Sequence, residues 1–233
     1  MAPSKLWLLI FGLLISSPSL AQPGPFSAEL FGAYTTSSKL FPYPNDQSEV
    51  RQAFYLSLTD IFHVGIDFRT YIHSFDVLVG IGTELIQKTE TSEAPVGANS
   101  VPVRDGFRVF PVELTGYFTL PIGNDKIRIY LGGGLGLYSG ERIYQYASAT
   151  SVVTDRSAGF GIHVLCGGEY RIFERWSVRS ELKVRDVQFE SVNQFSESSV
   201  VYEGVVVPLP RDAFSSKFNI DGLSILTGVA YYF

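Results

Sequence analysis

Within Trp176–Val187 the charged side chains Arg179, Glu181, Lys183 and Arg185 fall at every second position, and Trp176, Val178, Leu182 and Val184 hold the opposite parity. Side chains of an extended strand point alternately to opposite faces, so the charges share one face and the apolar groups the other. A strand of this kind needs an apolar medium on one side and a polar, satisfiable one on the other. The rule recurs along the chain. In Lys126–Arg142 the apolar parity holds Ile127, Ile129, Leu131, Leu135 and Leu137, and the other holds Arg128, Tyr130 and Tyr138. In Ser157–Arg171, Phe160, Ile162, Val164, Cys166 and Tyr170 oppose His163, Glu169 and Arg171. Phe107–Leu120 sets Phe110, Val112, Leu114 and Phe118 against Glu113, Thr115 and Tyr117. Val77–Lys88 sets Val77, Val79, Ile81 and Leu85 against Glu84 and Lys88, and Val64–Ile72 sets Val64, Ile66, Phe68 and Ile72 against Asp67 and Arg69. The last segment, Phe218–Phe233, turns Leu223, Ile225, Val229, Tyr231 and Phe233 to one side. Ser27–Thr36 alternates more weakly.

These segments predict an all-β fold, a closed antiparallel up-and-down transmembrane barrel of eight strands. An Arg or Lys on the lipid face near the bilayer midplane costs about 2–4 kcal/mol, which is the physical reason for one-parity charges. No segment after residue 21 reads as a transmembrane helix. Before it, Lys5 precedes the apolar run Leu6–Ile15, and Ser19 and Ala21 place small residues where a signal peptidase reads. Residues 1–21 are therefore expected to be a cleaved signal peptide, and 22–233 the barrel domain. Loss of Lys5 makes a formal net charge of −5 more negative still, so no nucleic-acid partner is expected. With Cys166 as the single cysteine, no intramolecular disulfide and no cysteine-based zinc cluster can form.

Connections 73–76, 121–125 and 172–175 are short, and 37–62, 90–105, 143–155 and 191–217 are long and polar. Short turns belong to the periplasmic side and long loops to the outside. Gln52–Thr59 also alternates. We read it as strand structure above the membrane in the first long loop. A competing count begins the barrel at Gln52 and leaves Ser27–Thr36 outside it.

The alternating strands, the leader and the terminal Val229, Tyr231, Phe233 pattern resemble the small eight-stranded outer-membrane barrels, the OmpA/OmpX/OmpW-like group. The resemblance implies insertion into the bacterial outer membrane. It also implies contact with outer-membrane lipid, and recognition of Val229, Tyr231 and Phe233 by the barrel assembly machinery.

An eight-stranded barrel has an interior just wide enough for side chains. Glu84, Glu113, Arg128, Glu169, Arg179, Glu181 and Lys183, joined by Asp67 and Arg69, are expected to form a polar network that plugs the lumen, since unpaired buried charge is costly. The other reading of this lining is a narrow selective pore. Gly132, Gly134 and Gly136 read as inward glycines that make room for bulky neighbours. Nothing in the pattern asks for a cofactor or metal. The expected role is a structural or surface-interaction one, with an extracellular ligand or partner at the long loops, among them the apolar stretch Ser199–Pro210. Two alternatives stay open. One is an OmpW-like conduit for small hydrophobic solutes, which needs an apolar upper lumen; Phe31, Leu78 and Leu165 are contributors to test. The other is a lipid A-modifying enzyme built on His63 with Ser57 and Asp60.

Overall fold

The computed structural model describes residues 25–72, 77–97 and 99–233. The proposed leader and the turn 73–76 lie outside the described residues. Eight long antiparallel strands make a ring: β1 (Phe26–Phe41), β2 (Leu56–Ile72), β3 (Val77–Val96), β4 (Asn99–Gly123), β5 (Ile127–Tyr146), β8 (Ala158–Phe173), β9 (Trp176–Gln194) and β13 (Leu223–Tyr232). Each pairs with its neighbour in chain order, and β1 closes the ring by pairing with both β2 and β13, for example Leu30 with Ile66 and with Val229. The short strands β6 (Ala149–Thr150), β7 (Val152–Arg156), β10 (Ser199–Tyr202), β11 (Val205–Pro208) and β12 (Phe214–Ile220), with a single-turn helix α1 (Glu49–Gln52), lie at the long-loop end.

The weakly alternating Ser27–Thr36 segment is part of the wall, and the ring does not start at Gln52. Leu56–Thr59 runs on without a break into the rest of β2 and pairs with the top of β1, Leu40 opposite Leu56. Asp60, at φ 56°, interrupts the alternation there: Leu58 and Ile61 are both buried. This left-handed residue hid the continuity, because alternation counted across it changes parity. The final segment is two strands, β12 and β13, separated at Asp221–Gly222.

The long connections are largely strand. β3 and β4 rise past the expected loop 90–105 and stay paired up to Val96–Asn99. β5 and β9 extend past 143 and 191 in the same way. In the fourth connection β10 and β11 form a hairpin around Glu203 and Gly204, whose φ values of 48° and 81° suit a tight two-residue turn. Its Val207 packs with Val101 and Ala147, so the apolar stretch caps the β3–β4 tip on one face and exposes Val201 and Val206 on the other.

The outer wall carries an apolar belt. Phe26, Leu30, Phe62, Ile66, Phe68, Leu114, Phe118, Leu131, Leu135, Phe160, Val164, Trp176, Leu182, Val184, Val229 and Phe233 are all exposed. Along β9 the belt runs from Trp176 to Val184, a rise of roughly 20 Å for a strand tilted by about 40°. That fits the apolar band of a membrane barrel. Aromatics gather at the short-turn end, where Trp176 packs on Tyr231 at 4.9 Å and Phe26 stacks on Phe233 at 6.3 Å.

Candidate functional site

Every strand turns one parity inward, and the inward residues stack in layers. Nearest the short turns, Arg179 donates to Glu169 (3.2 Å), Glu29 (3.2 Å), Ser27 (2.9 Å) and the Tyr232 hydroxyl (3.1 Å). Tyr232 in turn donates to Glu169. One step higher, Arg69 donates to Asp67 (2.8 Å), Glu181 (2.6 Å) and Glu29 (3.4 Å), and lies 4.1 Å over the Tyr117 ring. Tyr130 donates to Glu181 at 2.7 Å. The spokes come from β1, β2, β4, β5, β8, β9 and β13, so the layer ties the wall together across its diameter.

The next layer is centred on two carboxylates and two cations. Lys183 donates to Glu84 (3.1 Å) and Glu113 (2.8 Å). Arg185 donates to both oxygens of Glu84 (3.1 and 3.2 Å), and its Nη1 lies 3.5 Å from Glu113. Tyr138 donates to Glu113 at 2.5 Å. His63 brings Nδ1 within 3.0 Å of Glu84 and Nε2 within 3.0 Å of the Thr35 hydroxyl, and His163 meets Thr115 at 2.8 Å. The formal charges of Glu84, Glu113, Lys183 and Arg185 cancel.

Above the charges the lumen turns apolar. Leu40, Leu58, Ile61, Ile86, Phe107, Val109, Val187, Phe189, Phe218 and Ile220 form one buried cluster with the ring of Tyr138. Phe189 stacks on Phe218 at 4.9 Å. Over this layer Arg142 holds Asp105 through two bonds (2.8 and 2.5 Å) and donates to Ser216 (2.7 Å).

Six of the seven proposed lumen residues, Glu84, Glu113, Glu169, Arg179, Glu181 and Lys183, therefore lie in two adjoining charged layers, and Asp67 and Arg69 lie in the lower one. Arg128 does not join them. It stands at the lower mouth with 39% of its side chain exposed, 3.9 Å from Glu169. Arg185, Glu29, His63, His163 and the tyrosines 117, 130, 138 and 232 complete the layers. Parity marks each of them as inward, but which inward groups meet depends on register between strands, which one chain's alternation does not carry. Gly136 faces the Tyr138 ring, which lies 2.6 Å from where a Cβ would stand, and Gly167 gives the same room to Tyr130 at 2.8 Å.

The conduit residues are placed differently from expectation. Leu78 and Leu165 pack near Tyr117 and Tyr130 in the lower lumen, and Phe31 packs with Ala33 and Leu226. The upper lumen is apolar through other residues, and it is filled. The enzyme constellation is not assembled: His63 is buried on Glu84, whereas Asp60 accepts from Tyr34 (2.8 Å) on the exposed wall and Ser57 is exposed. His73 lies outside the described residues. Cys166 is exposed on the belt side. Val229 and Phe233 also face outward there, with Tyr231 half-buried between them.

The sequence matches no protein-family model and no curated protein. Among solved structures, the outer membrane protein OprG from Pseudomonas aeruginosa superposes with a TM-score of 0.57 at 11% identity, covering 91% of this chain and 98% of that one. The chain has the fold of the small eight-stranded outer-membrane β-barrels. Neisserial surface protein A (TM-score 0.47, 14% identity, 91% of this chain and 100% of that chain) and Ail, the attachment invasion locus protein of Yersinia pestis (0.45, 9%, 90% and 99%), also superpose along the barrel. In this barrel the side-chain layers described above occupy the lumen between the two mouths.

Proposed function

We propose that this barrel is a closed, non-enzymatic scaffold in the bacterial outer membrane, inserted by the assembly machinery through Val229, Tyr231 and Phe233, and that it acts through its extracellular crown. One observation carries the reading: two charged layers and an apolar layer fill the lumen in series. Water would have to displace a packed ring of Phe107, Phe189 and Phe218, then pass two layers of charge-assisted hydrogen bonds. What remains for contact is the crown. There the strands extend above the belt, and Tyr43, Val50, Phe54, Tyr55, Val201 and Val206 are exposed. Aromatic and apolar groups on a surface beyond the bilayer suit a protein partner or an apolar ligand. Planar-bilayer recording of the folded protein tests the closed lumen. Silence is expected, and reproducible single-channel steps would overturn the reading.

A second reading, a conduit for small hydrophobic solutes, is favoured by one feature of the wall. β2 and β3 are paired from Ile72–Val77 only up to Val64–Leu85, and above that level each strand pairs with its other neighbour. Over this seam a shallow groove of about 640 Å³ on the outer wall spans β13, β1, β2 and β3, lined by Gly32, Phe62, Val64, Leu85, Gln87 and Ile225. A disulfide staple between Phe62→Cys and Gln87→Cys, in a Cys166→Ser background, closes the seam. Liposome uptake of a small aromatic solute that the staple abolishes supports the conduit. Uptake at the rate of empty liposomes removes it.

A further inference from the structure

We propose that the periplasmic mouth of the barrel is a binding site for an oxyanion group, a carboxylate or a phosphate, presented from the periplasm. The mouth opens into a cavity of about 340 Å³ lined by three guanidinium groups, Arg128 of β5, Arg171 of β8 and Arg179 of β9, together with Ser27, Thr119 and Tyr232. A second hollow of about 400 Å³ runs on past Arg128 and Arg171 to Asn124 and Lys126. The two sets of lining residues share Arg128 and Arg171, so these two side chains stand at the centre of the mouth.

Anion accounting separates this mouth from the layers above it. Glu169 is the carboxylate nearest the three arginines, and it is already held by Arg179 at 3.2 Å and by the Tyr232 hydroxyl. Arg128 approaches it only to 3.9 Å and is partly open to solvent. Arg171 has no carboxylate within ion-pair distance among the described residues. Its guanidinium lies 5.6 Å from the Tyr232 ring, and its Nε is buried without an acceptor. Arg179, at the inner end of the mouth, and Arg69, Lys183 and Arg185 in the layers above each have carboxylate partners. Among the described residues Arg171 has no carboxylate partner and Arg128 has only the long, partly exposed contact to Glu169, so two planar donor forks face the cavity at the mouth with the chemistry of an oxyanion receptor. Guanidinium forks match carboxylate and phosphate bidentately, and low-dielectric walls concentrate their field. Asp125 and Glu169 also line the outer hollow, so the inner cavity, whose lining holds the three guanidinium groups and no carboxylate, is where the anion sits.

The test is calorimetric titration of the folded protein, in a non-ionic detergent at low salt, with citrate and separately with inorganic phosphate. We expect saturable binding of at least one, with the tighter of the two naming the group the mouth prefers. Arg171→Gln and Arg128→Gln are each expected to weaken it about tenfold or more, the scale of losing a charge-assisted hydrogen bond. Arg171→Lys, which keeps the charge and loses the fork, is expected to fall between. Arg104→Gln, an exposed crown variant, is expected to leave binding unchanged. Heat-modifiable electrophoretic mobility checks that each variant is folded. If Arg171→Gln misfolds, Arg128→Gln, outside the packed layers, decides the matter. The proposal is overturned if the folded protein binds neither anion, or binds equally well in the mouth variants, or loses binding equally in Arg104→Gln.

Discussion

Glu84→Gln removes one charge from the most tightly built layer and leaves the shape of the side chain in place. In the native barrel Glu84 has 2% of its side chain exposed and accepts from Lys183 and from Arg185. His63 Nδ1 lies 3.0 Å away. With a neutral amide there, Glu113 alone faces two buried cations, one of them 3.5 Å distant. The amide NH₂ also points donors at groups that are themselves donors. Breaking a buried ion pair by removing one partner costs about 3–5 kcal/mol, most of it the uncompensated charge left behind. We therefore expect a loss of about that size in reversible urea unfolding of the detergent-folded barrel, followed by tryptophan fluorescence. A compensating variant, Glu84→Gln with Lys183→Met, restores neutrality and is expected to recover more than half of the loss. A single-variant loss below about 1 kcal/mol, the scale of an exposed pair, would refute the view that this layer is dry and charge-balanced. Equal losses in the single and double variants would refute the charge argument and leave only packing.

Three further outcomes follow from other parts of the barrel. Phe218→Ala, at a fully buried ring stacked on Phe189, is expected to destabilise by about 3–5 kcal/mol in the same unfolding assay and yet leave planar bilayers silent, because both charged layers still lie below it. Leu131→Arg on the lipid face is expected to cost about 2–4 kcal/mol in phospholipid vesicles. Deleting Phe233, if Val229, Tyr231 and Phe233 are the assembly signal, is expected to slow insertion in cells while the refolded protein keeps most of its resistance to SDS at room temperature.

The strands that cross the belt were legible because lipid imposes one rule on them. Trp176–Val184, Ile127–Leu137 and Phe160–Tyr170 each have to show lipid an uncharged face, and the inward charges stand out by elimination. Register was not legible. That Lys183 meets both Glu84 and Glu113 follows from how β3, β4 and β9 are staggered around the ring, and no local pattern in any one strand encodes it. The role of Tyr232 was hidden in the same way: it sits between Tyr231 and Phe233, whose outward aromatics dominate the reading, and its hydroxyl matters only because Glu169 lies across the lumen.

The extended strands were missed for a different reason, and it locates the membrane surface. Along β9 the inward parity runs without interruption through Arg179, Glu181, Lys183 and Arg185 and then Val187 and Phe189, all buried. The outward parity runs from Val178, Leu182 and Val184 to Asp186, Gln188 and Glu190. Geometry is continuous, but polarity inverts between Val184 and Asp186. β3 and β4 show the same inversion: Glu84 is succeeded by Ile86, and, going up β4, Glu113 is followed by Val109 and Phe107 on the inside while Phe110 gives way to Arg108 on the outside. Below this level the outside solvent is lipid and the inside must be polar enough to lock a narrow bore. Above it the outside is water, and the inside becomes an ordinary apolar core. A rule that demands apolar side chains outward reads the upper halves as loops. A rule that lets the two faces exchange polarity once would have carried β3, β4, β5 and β9 to their tips. The inversion row, Leu85 with Phe110 and Val184, is then the outer surface of the hydrocarbon. The seam between β2 and β3 opens at that same row, so any apolar molecule that used it would meet the bilayer at its outer edge rather than at its centre.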